Sequence, residues 1–343
     1  MFKLGNVGQI RDGNIELLRV VLMFLIVVGH IGLYGRHGGD LVGKGTESCT
    51  IFATDTFVLL SGWYGIKFRW SKIIRFMGLG LFVSLLLFFL AKKTGIDSSF
   101  KYSLGWFGAS YMGLLLLSPI INDCLNDRWW WFYAAAMFLN WLPLRYFGVS
   151  FAIPGWGGIS FNTLCFMYVT GRVLRKTDWV RKVTSFQALA TFTVLMVINI
   201  VWAAAAGFSK PNSFIYSLLI GTRDNNSPLA IALAVSIFLM FRGMVIQSFI
   251  GRISAFIAPS MFSVYLLHEG CNGQLSRILY NKYLFCDLGE TLQLRLLSVL
   301  LSATIVMTIC VCVDLVRRYA SSIIVRTCPS SIRDWFGNPK LMR

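Results

Sequence analysis

The sequence predicts an all-α integral membrane protein, a polytopic bundle of about ten transmembrane helices with both termini in the cytoplasm. Hydrophobic residues make up 56% of its 343 residues and charged residues only 14%, whereas soluble globular chains carry about 25% charged residues. Too few polar residues therefore remain to cover a water-facing surface. The net charge of +17 alone would suit a nucleic-acid partner. The long apolar runs between the charges favour lipid instead, and no nucleic-acid partner is expected.

Ten stretches of the chain have the length and composition of membrane spans, which need roughly 20 mostly apolar residues. They are residues 15–35, 50–66, 74–91, 104–122, 129–147, 158–174, 184–206, 227–246, 254–270 and 292–316. If the N-terminus is cytoplasmic, the inner segments hold most of the 32 Lys and Arg residues, in agreement with the positive-inside rule. The loops are short, so residues 1–343 are expected to form one transmembrane domain with a short cytoplasmic tail from about residue 317.

The first span carries ionisable residues that lipid should exclude. Arg19 and His30 are eleven positions apart, which is three helical turns plus about 20°, so both project from one face roughly 16 Å apart. Ionisable groups inside a membrane are costly and are therefore candidates for function. The alternative is that Arg19 extends to the inner interface beside Glu16 and that His30 is only an interfacial residue.

The second span adds polar residues at comparable depth. Asp55 lies near its outer end, at about the depth of His30, where a carboxylate can accept the imidazole N–H and fix its tautomer. Ser61 is a candidate nucleophile or substrate contact, although a serine in a membrane helix usually bonds its own backbone. Gly62 shares a helix face with Asp55 and permits a close helix approach.

Four further residues are candidates for binding substrate. His268 ends the ninth span at the depth of His30, where it is either a site residue or an interfacial anchor. Arg36, in the glycine-rich loop after the first span, suits an anionic headgroup or a sugar phosphate. Trp106 and Tyr111 in the fourth span are either substrate platforms or members of the interfacial aromatic belt. The sequence contains no nucleotide-binding loop and no metal-ligand spacing, so no metal site is expected.

At these positions the sequence resembles the membrane-bound acyltransferase family 3, integral-membrane O-acyltransferases that decorate bacterial surface glycans. Four blocks carry the resemblance and occur in the family's order: RDGNIELLRVVLMFLIVVGHIG, TDTFVLLSGWY, GWFGASYMGLLLLSPIIN and SMFSVYLLHEG. They are spread over nearly the whole chain. The matched positions are Arg19, His30, Asp55, Phe57, Ser61, Gly62, Trp106, Tyr111, Pro119 and His268.

The resemblance implies transfer of an acyl group, most often acetyl, from acyl-CoA to a hydroxyl of a capsule, exopolysaccharide or O-antigen in the bacterial cytoplasmic membrane. Acyl-CoA would be a co-substrate, not a bound cofactor, and the partners would be a lipid-linked or polymeric glycan and membrane lipid. In that reaction His30 would be the general base or a transient acyl carrier, and Arg19 would hold the CoA phosphates. Ser61, Tyr111 and backbone N–H groups are the candidates for stabilising the oxyanion.

A carrier is the competing class of protein. Short-looped spans with intramembrane His, Asp and Arg also suit a proton-coupled transporter or a flippase of a glycan precursor. Broken helices in two matching halves would favour that class, and the sequence shows no convincing internal repeat.

Overall fold

The computed structural model describes residues 12–35, 41–96, 99–126, 161–208, 227–271 and 273–327. Within these ranges the protein is built of helices and contains no β-strand, which confirms the predicted all-α class. In chain order the helices are α1 (Gly13–Tyr34), α2 (Leu41–Thr50), α3 (Ala53–Tyr64), α4 (Trp70–Lys93), α5 (Gly105–Asn126), α6 (Phe161–Lys176), α7 (Trp179–Lys182), α8 (Ser185–Phe208), α9 (Pro228–Gly243), α10 (Ser248–Gly270), α11 (Gly273–Tyr283) and α12 (Leu292–Thr327).

Six helices in the described part of the chain are long and apolar enough to cross a membrane: α1, α4, α5, α8, α10 and α12. Helix α9 is also apolar but shorter. The predicted fifth span, residues 129–147, lies outside the described residues. Each of the other predicted spans overlaps one of the helices. The total of ten spans and the cytoplasmic position of both termini stay predictions.

The predicted second span, residues 50–66, does not form one continuous helix. Helix α2 ends at Thr50, and α3 has only 12 residues, about 18 Å, which is short of a hydrocarbon core of roughly 30 Å. The short helix α2 that precedes α3 has the polar sequence LVGKGTESCT. The hydroxyls of Thr46 and Thr50 bond carbonyl groups one turn back in α2, so this short helix satisfies its own polar groups.

Helix α1 lies between two hydrophobic cores. Its first half contributes Leu18 and Leu22 to a core shared with α3, α5, α6 and α9. Its second half contributes Val27 and Ile31 to a core shared with α4, α10 and α12. Both cores hold α1 in position, so the side chains on its remaining face are fixed relative to the rest of the bundle.

Helices α3 and α6 pack with their backbones close together, as Gly62 predicts. A Cβ atom at Gly62 would collide with the carbonyl group of Tyr168 in α6. The Tyr168 hydroxyl accepts from the Ile66 backbone N–H at 2.9 Å and donates to Asn122 Oδ1 at 2.8 Å. The face of α3 that carries Gly62 therefore packs against α6.

Helix α5 contains Pro119, which cannot donate the usual backbone hydrogen bond to the carbonyl four residues earlier. That carbonyl belongs to Leu115, and it accepts a hydrogen bond from Ser118 Oγ at 2.9 Å instead. The neighbouring hydroxyl thus satisfies the carbonyl group that the proline leaves unpaired, and α5 continues to Asn126.

Helix α10 changes its winding along its length. It is α-helical over Ser248–Ile257, a 3₁₀ turn over Ala258–Ser260, α-helical again over Met261–Tyr265 and a π turn over Leu266–Gly270. Such π turns inside helices are often found at functional sites. The π turn contains His268 and places it against α1.

The last helix continues past residue 317, where the sequence predicts a tail. Helix α12 has 36 residues and ends at Thr327. It contains no Gly or Pro to stop it, and Arg317 makes an ion pair with Asp314 one turn earlier. The helix therefore continues about three turns beyond the predicted span, and the cytoplasmic position of the segment from about residue 317 stays a prediction.

Candidate active site

A cavity of about 910 Å³ runs beside α1. Arg19 and His30 both line it, so the face of α1 that carries these two residues is the face turned to the cavity. We refer to its two ends as the Arg19 end and the His30 end, which are roughly 16 Å apart along the helix. The other walls come from α2, α3, α4, α5, α8, α10 and α11.

At the His30 end, two histidines from distant parts of the chain contact each other. His30 Nδ1 lies 2.9 Å from His268 Nε2, and His268 Nδ1 lies 2.6 Å from the Val264 carbonyl oxygen. A carbonyl oxygen only accepts hydrogen bonds, so His268 Nδ1 carries a hydrogen. In the neutral pair His268 Nε2 is then the acceptor and His30 Nδ1–H the donor. The lone pair of His30 Nε2 therefore stays available at the cavity.

The predicted hydrogen bond between Asp55 and His30 is absent. Asp55 is buried, and its Oδ2 has no hydrogen-bond partner among the described residues. Thr54 and Ser61 line the cavity, whereas Asp55 shares a helix face with Gly62, which packs against α6. Adjacent positions on a helix differ by about 100°, so a residue at the correct depth lies on the wrong face.

His268 lies behind His30 rather than in the lining of the cavity. It is only 2% exposed, and both of its ring nitrogens face protein groups. The sequence predicts that His268 contacts substrate, but the structure places it in contact with the His30 imidazole. Its position suits a residue that orients His30 and fixes its tautomer, the role that the sequence assigns to Asp55.

At the Arg19 end, the guanidinium is held by a buried carboxylate and an aromatic ring. Arg19 Nη1 lies 2.5 Å from Glu16 Oε1, and the exposed fractions of the two side chains are 28% and 5%. The Tyr64 ring centroid lies 5.7 Å from the guanidinium carbon. Arg19 is therefore fixed at the cavity wall and does not simply extend toward a membrane surface.

More basic groups surround the end of α3 next to Tyr64. Arg175 donates to the Trp63 carbonyl at 2.8 Å. The Arg242 guanidinium lies 5.8 Å from the Trp63 ring centroid and donates to the Val180 carbonyl. Arg175 of α6 and Arg242 of α9 thus add positive charge next to Arg19 at this end of α3.

Ser61 and Tyr111 lie between the two ends and contact each other. Their hydroxyl oxygens are 3.1 Å apart, and Ser61 Oγ also donates to the Phe57 carbonyl at 3.2 Å. The Ser61 hydroxyl hydrogen is thus directed to its own helix, and no ionisable base contacts Ser61 in the described part of the chain. This geometry favours a structural or substrate-contacting serine over a nucleophile.

Aromatic rings form one wall of the cavity. Phe76 stacks on Phe262 with ring centroids 4.2 Å apart, and Phe107 stacks on Tyr111 at 5.8 Å. Trp106 also lines the cavity. The wall combines rings from α4, α5 and α10, so Trp106 and Tyr111 lie at the cavity and not only in an interfacial belt.

A charged group at the His30 end was missed by the sequence analysis. The Arg277 guanidinium donates to both carboxylate oxygens of Glu269 and lies 3.2 Å from the centroid of the Tyr34 ring. Burial lowers the pKa of Arg277, but the hydrogen bond and charge of Glu269 outweigh this effect and raise the pKa above its usual value. Glu269 follows His268 directly in the sequence, and that adjacency was the available signal. Arg277 lies on helix α11, whose polar sequence is typical of a loop.

Asn199 is the other lining residue that sequence reasoning missed. It is an amide within the apolar stretch LMVINIVW of α8, which is the signal that could have found it. Its Nδ2 donates to the Ser48 carbonyl at 2.7 Å, which joins α8 to α2 at the cavity. Arg36 lies outside the described residues. Across the described ranges, no group of three or more His, Cys, Asp or Glu side chains is arranged to hold a metal ion.

Comparison with known proteins identifies the family. A family model described as an acyltransferase domain, that of acyltransferase family 3, matches residues 12–317. Comparisons with curated proteins and with solved structures yield no match. The matched range covers far more than half of the chain and includes the cavity, both histidines and Arg19. The chain is a multi-pass membrane protein that belongs to acyltransferase family 3, as its sequence blocks indicate.

Proposed function

We propose that this protein is an O-acyltransferase of the bacterial cytoplasmic membrane. It transfers an acyl group, most simply acetyl, from acyl-CoA to a hydroxyl of a surface glycan of the capsule, exopolysaccharide or O-antigen type. The observation that carries the proposal is the hydrogen-bonded chain from His30 through His268 to the Val264 carbonyl, which leaves His30 Nε2 unprotonated at the wall of the cavity. The family match supports acyl transfer as the reaction class.

In this reaction His30 Nε2 takes the proton of the attacking sugar hydroxyl. The hydroxyl oxygen forms a bond to the thioester carbonyl carbon, the carbon–sulfur bond breaks, and the CoA thiolate takes the proton back from His30. His268 stabilises the imidazolium that forms in between, because its Nε2 accepts the hydrogen bond from His30 Nδ1–H. General base catalysis of this kind is typically worth about 10²–10⁴-fold in rate.

The same geometry also supports a covalent route. His30 Nε2 can attack the thioester carbonyl carbon, so that the carbon–sulfur bond breaks, an acyl-imidazolium forms and CoA leaves as a thiolate, which takes a proton from water. The sugar hydroxyl oxygen then bonds to the acyl carbon, the carbon–nitrogen bond to His30 breaks, and the hydroxyl proton returns to water. Both routes need the Nδ1–H tautomer that His268 selects. They differ in whether CoA release precedes the arrival of the glycan.

The Arg19 end is the proposed binding site for the CoA phosphates. Arg19, Arg175 and Arg242 surround the end of α3, and guanidinium groups bind phosphate oxygens well. The pantetheine arm would then pass Ser61 and Tyr111 on its way to His30, since these hydroxyls line the same cavity. Their paired oxygens can hydrogen-bond the arm or the developing oxyanion.

Purified protein in detergent tests the proposal. We expect release of CoA from acetyl-CoA that depends on an added glycan, and loss of this release in His30→Ala. Tyr283→Phe, which changes a residue outside the cavity lining, is the matched control and should behave as wild type. Full CoA release by a folded His30→Ala variant would remove His30 from the reaction.

Reconstitution of the purified protein into liposomes distinguishes an enzyme from a carrier. Proteoliposomes that move a glycan precursor without releasing CoA would favour a transporter or flippase. The surface glycan of cells provides the second readout, because a transferred acyl group is an ester. Cells that lack the protein should lose alkali-labile ester from this glycan, with a matching decrease in its mass.

A further inference from the structure

Thr54 carries a hydroxyl group at the cavity wall that the chemistry above does not use. The residue lies in the first turn of α3 and lines the cavity. Within the described part of the chain, its hydroxyl makes no hydrogen bond to another protein group. This hydroxyl is therefore free to bind a ligand that enters the cavity.

The neighbouring hydroxyl residues of α2 and α3 behave differently. Serine and threonine in membrane helices usually donate to a backbone carbonyl of their own helix. Thr50, Thr56 and Ser61 do so, with donor–acceptor distances of 2.9, 2.8 and 3.2 Å. The Thr54 hydroxyl makes no such bond among the described residues. Both its hydrogen and its oxygen lone pairs are therefore left for a ligand.

Two contacts with α1 fix the depth of Thr54. At the end of α3, Tyr64 lies beside Arg19, and Thr54 is ten positions earlier, about 15 Å along the helix. Before α3 in the chain, Thr50 packs so closely on α1 that a Cβ atom at Gly29 would collide with its hydroxyl. Gly29 directly precedes the histidine of α1. Thr54 therefore lies within about one helical turn of that histidine in depth, on the side of the Arg19 end.

Apolar side chains accompany Thr54 in this stretch of the cavity wall. Met23 and Ile26 of α1 and Phe57 of α3 line the cavity at comparable depth. A polar group of a ligand loses its water when it enters such a stretch and is costly to bury unless it gains a hydrogen bond. Thr54 offers that hydrogen bond.

The pantetheine arm of acyl-CoA has a polar group at the matching place. Its last amide is joined to the thioester sulfur by a short, apolar two-carbon link. When the thioester carbonyl carbon lies against His30 Nε2 and the arm extends toward the Arg19 end, this amide lies about one helical turn short of His30. That is the depth of Thr54.

We infer that Thr54 is a positioning residue for the donor and that its hydroxyl oxygen accepts a hydrogen bond from the N–H of the pantetheine amide next to the thioester. The inference rests on the proposed function, since it takes acyl-CoA to enter from the Arg19 end. The contact holds the thioester carbonyl carbon against His30 Nε2. Thr54 itself takes no part in making or breaking bonds.

Equilibrium binding of two matched ligands to the purified full-length protein tests this contact. The probes are CoA and a CoA analogue in which a methylene group replaces the N–H of this amide. We expect the wild type to bind CoA about fivefold more tightly than the analogue, as for one net hydrogen bond. In Thr54→Val the affinity for CoA should fall about fivefold and the preference should vanish. Thr54→Ser keeps the hydroxyl and should retain the preference.

Thr56→Val is the matched control, because it makes the same change on α3 at a buried hydroxyl that bonds the Phe52 carbonyl outside the cavity lining. It should leave both affinities unchanged. The thermal unfolding midpoint of Thr54→Val should equal that of the wild type, since its hydroxyl has no described protein partner to lose.

Three results would overturn the inference: an unchanged affinity for CoA in Thr54→Val, a preference for CoA that persists in Thr54→Val, or no binding of CoA to the wild type. The measurement reads binding and not turnover. A protein that binds CoA through Thr54 but transfers no acyl group would therefore count against the proposed function and leave this contact standing.

Discussion

The two ends of the cavity carry different chemistry on one helix. At the Arg19 end a guanidinium is held by the Glu16 carboxylate and the Tyr64 ring. At the His30 end an imidazole is held by a second imidazole. The first arrangement keeps a positive charge in place, whereas the second presents an unprotonated nitrogen.

One helix can therefore carry a donor-binding group at one end of the cavity and a catalytic group at the other. A fixed cation suits binding of a phosphate-bearing donor, and an unprotonated imidazole suits proton transfer or attack on a thioester. Changes at the His30 end should therefore reduce turnover, while changes at the Arg19 end should reduce donor affinity.

The largest effect is expected for His30→Gln. This change keeps a polar side chain but removes the basic nitrogen, so kcat should fall by roughly 10²–10⁴-fold with little change in the KM for acyl-CoA. Steady-state CoA release measures both constants. A raised KM for acyl-CoA with a normal kcat would indicate that His30 binds the donor. The His30 end and the Arg19 end would then have the same function.

The next effect is expected for His268→Phe. Phenylalanine fills the space but cannot accept the hydrogen bond from His30 Nδ1–H, so kcat should fall by about 10- to 100-fold, the range for a hydrogen bond to a charged group.

His268→Asn is the informative partner variant, because its side-chain oxygen can still accept from His30. It should retain more activity than His268→Phe. Equal activity in the two variants would show that His268 only fills space.

Arg19→Ala should act on the donor. Loss of the guanidinium should raise the KM for acyl-CoA by about tenfold or more, as expected for a lost charge-assisted hydrogen bond, with a smaller effect on kcat. Arg19→Lys keeps the charge but not the planar fork and should fall in between. Donor titrations with dephospho-CoA thioesters, which lack one phosphate, would sharpen the assignment. An unchanged KM in Arg19→Ala would contradict a phosphate contact.

The smallest effect is expected for Ser61→Ala. The Ser61 hydroxyl donates to its own backbone and contacts Tyr111, and a net hydrogen bond is worth about 1 kcal/mol. Activity should therefore stay within about tenfold of wild type. A complete loss of activity in a folded Ser61→Ala variant would instead indicate that Ser61 is the nucleophile.

Much of this site follows from helical periodicity. The spacing of Arg19 and His30 predicts one shared face, and that face lines the cavity. The close approach at Gly62 also follows from the missing side chain. These features depend on a single helix or on one residue, so local sequence is sufficient to predict them.

The partners across helices could not be predicted in the same way. Asp55 has the correct depth, but the packing of Gly62 on α6 turns that face of α3 away from the cavity. His268, which contacts His30, lies in the π turn at Leu266–Gly270 of α10. Helix rotation and a local change of winding both arise from packing, which no spacing in the sequence records.

The most direct test of the division between the two ends is a double-mutant cycle on one set of preparations. Acetyl-CoA affinity and the rate of acyl transfer are measured for the wild type, His30→Gln, Arg19→Ala and the double variant. The account predicts that Arg19→Ala lowers affinity, that His30→Gln lowers the rate, and that the two losses combine independently. If Arg19→Ala instead lowers the rate as much as His30→Gln while acetyl-CoA affinity is unchanged, the cavity does not separate donor binding from chemistry.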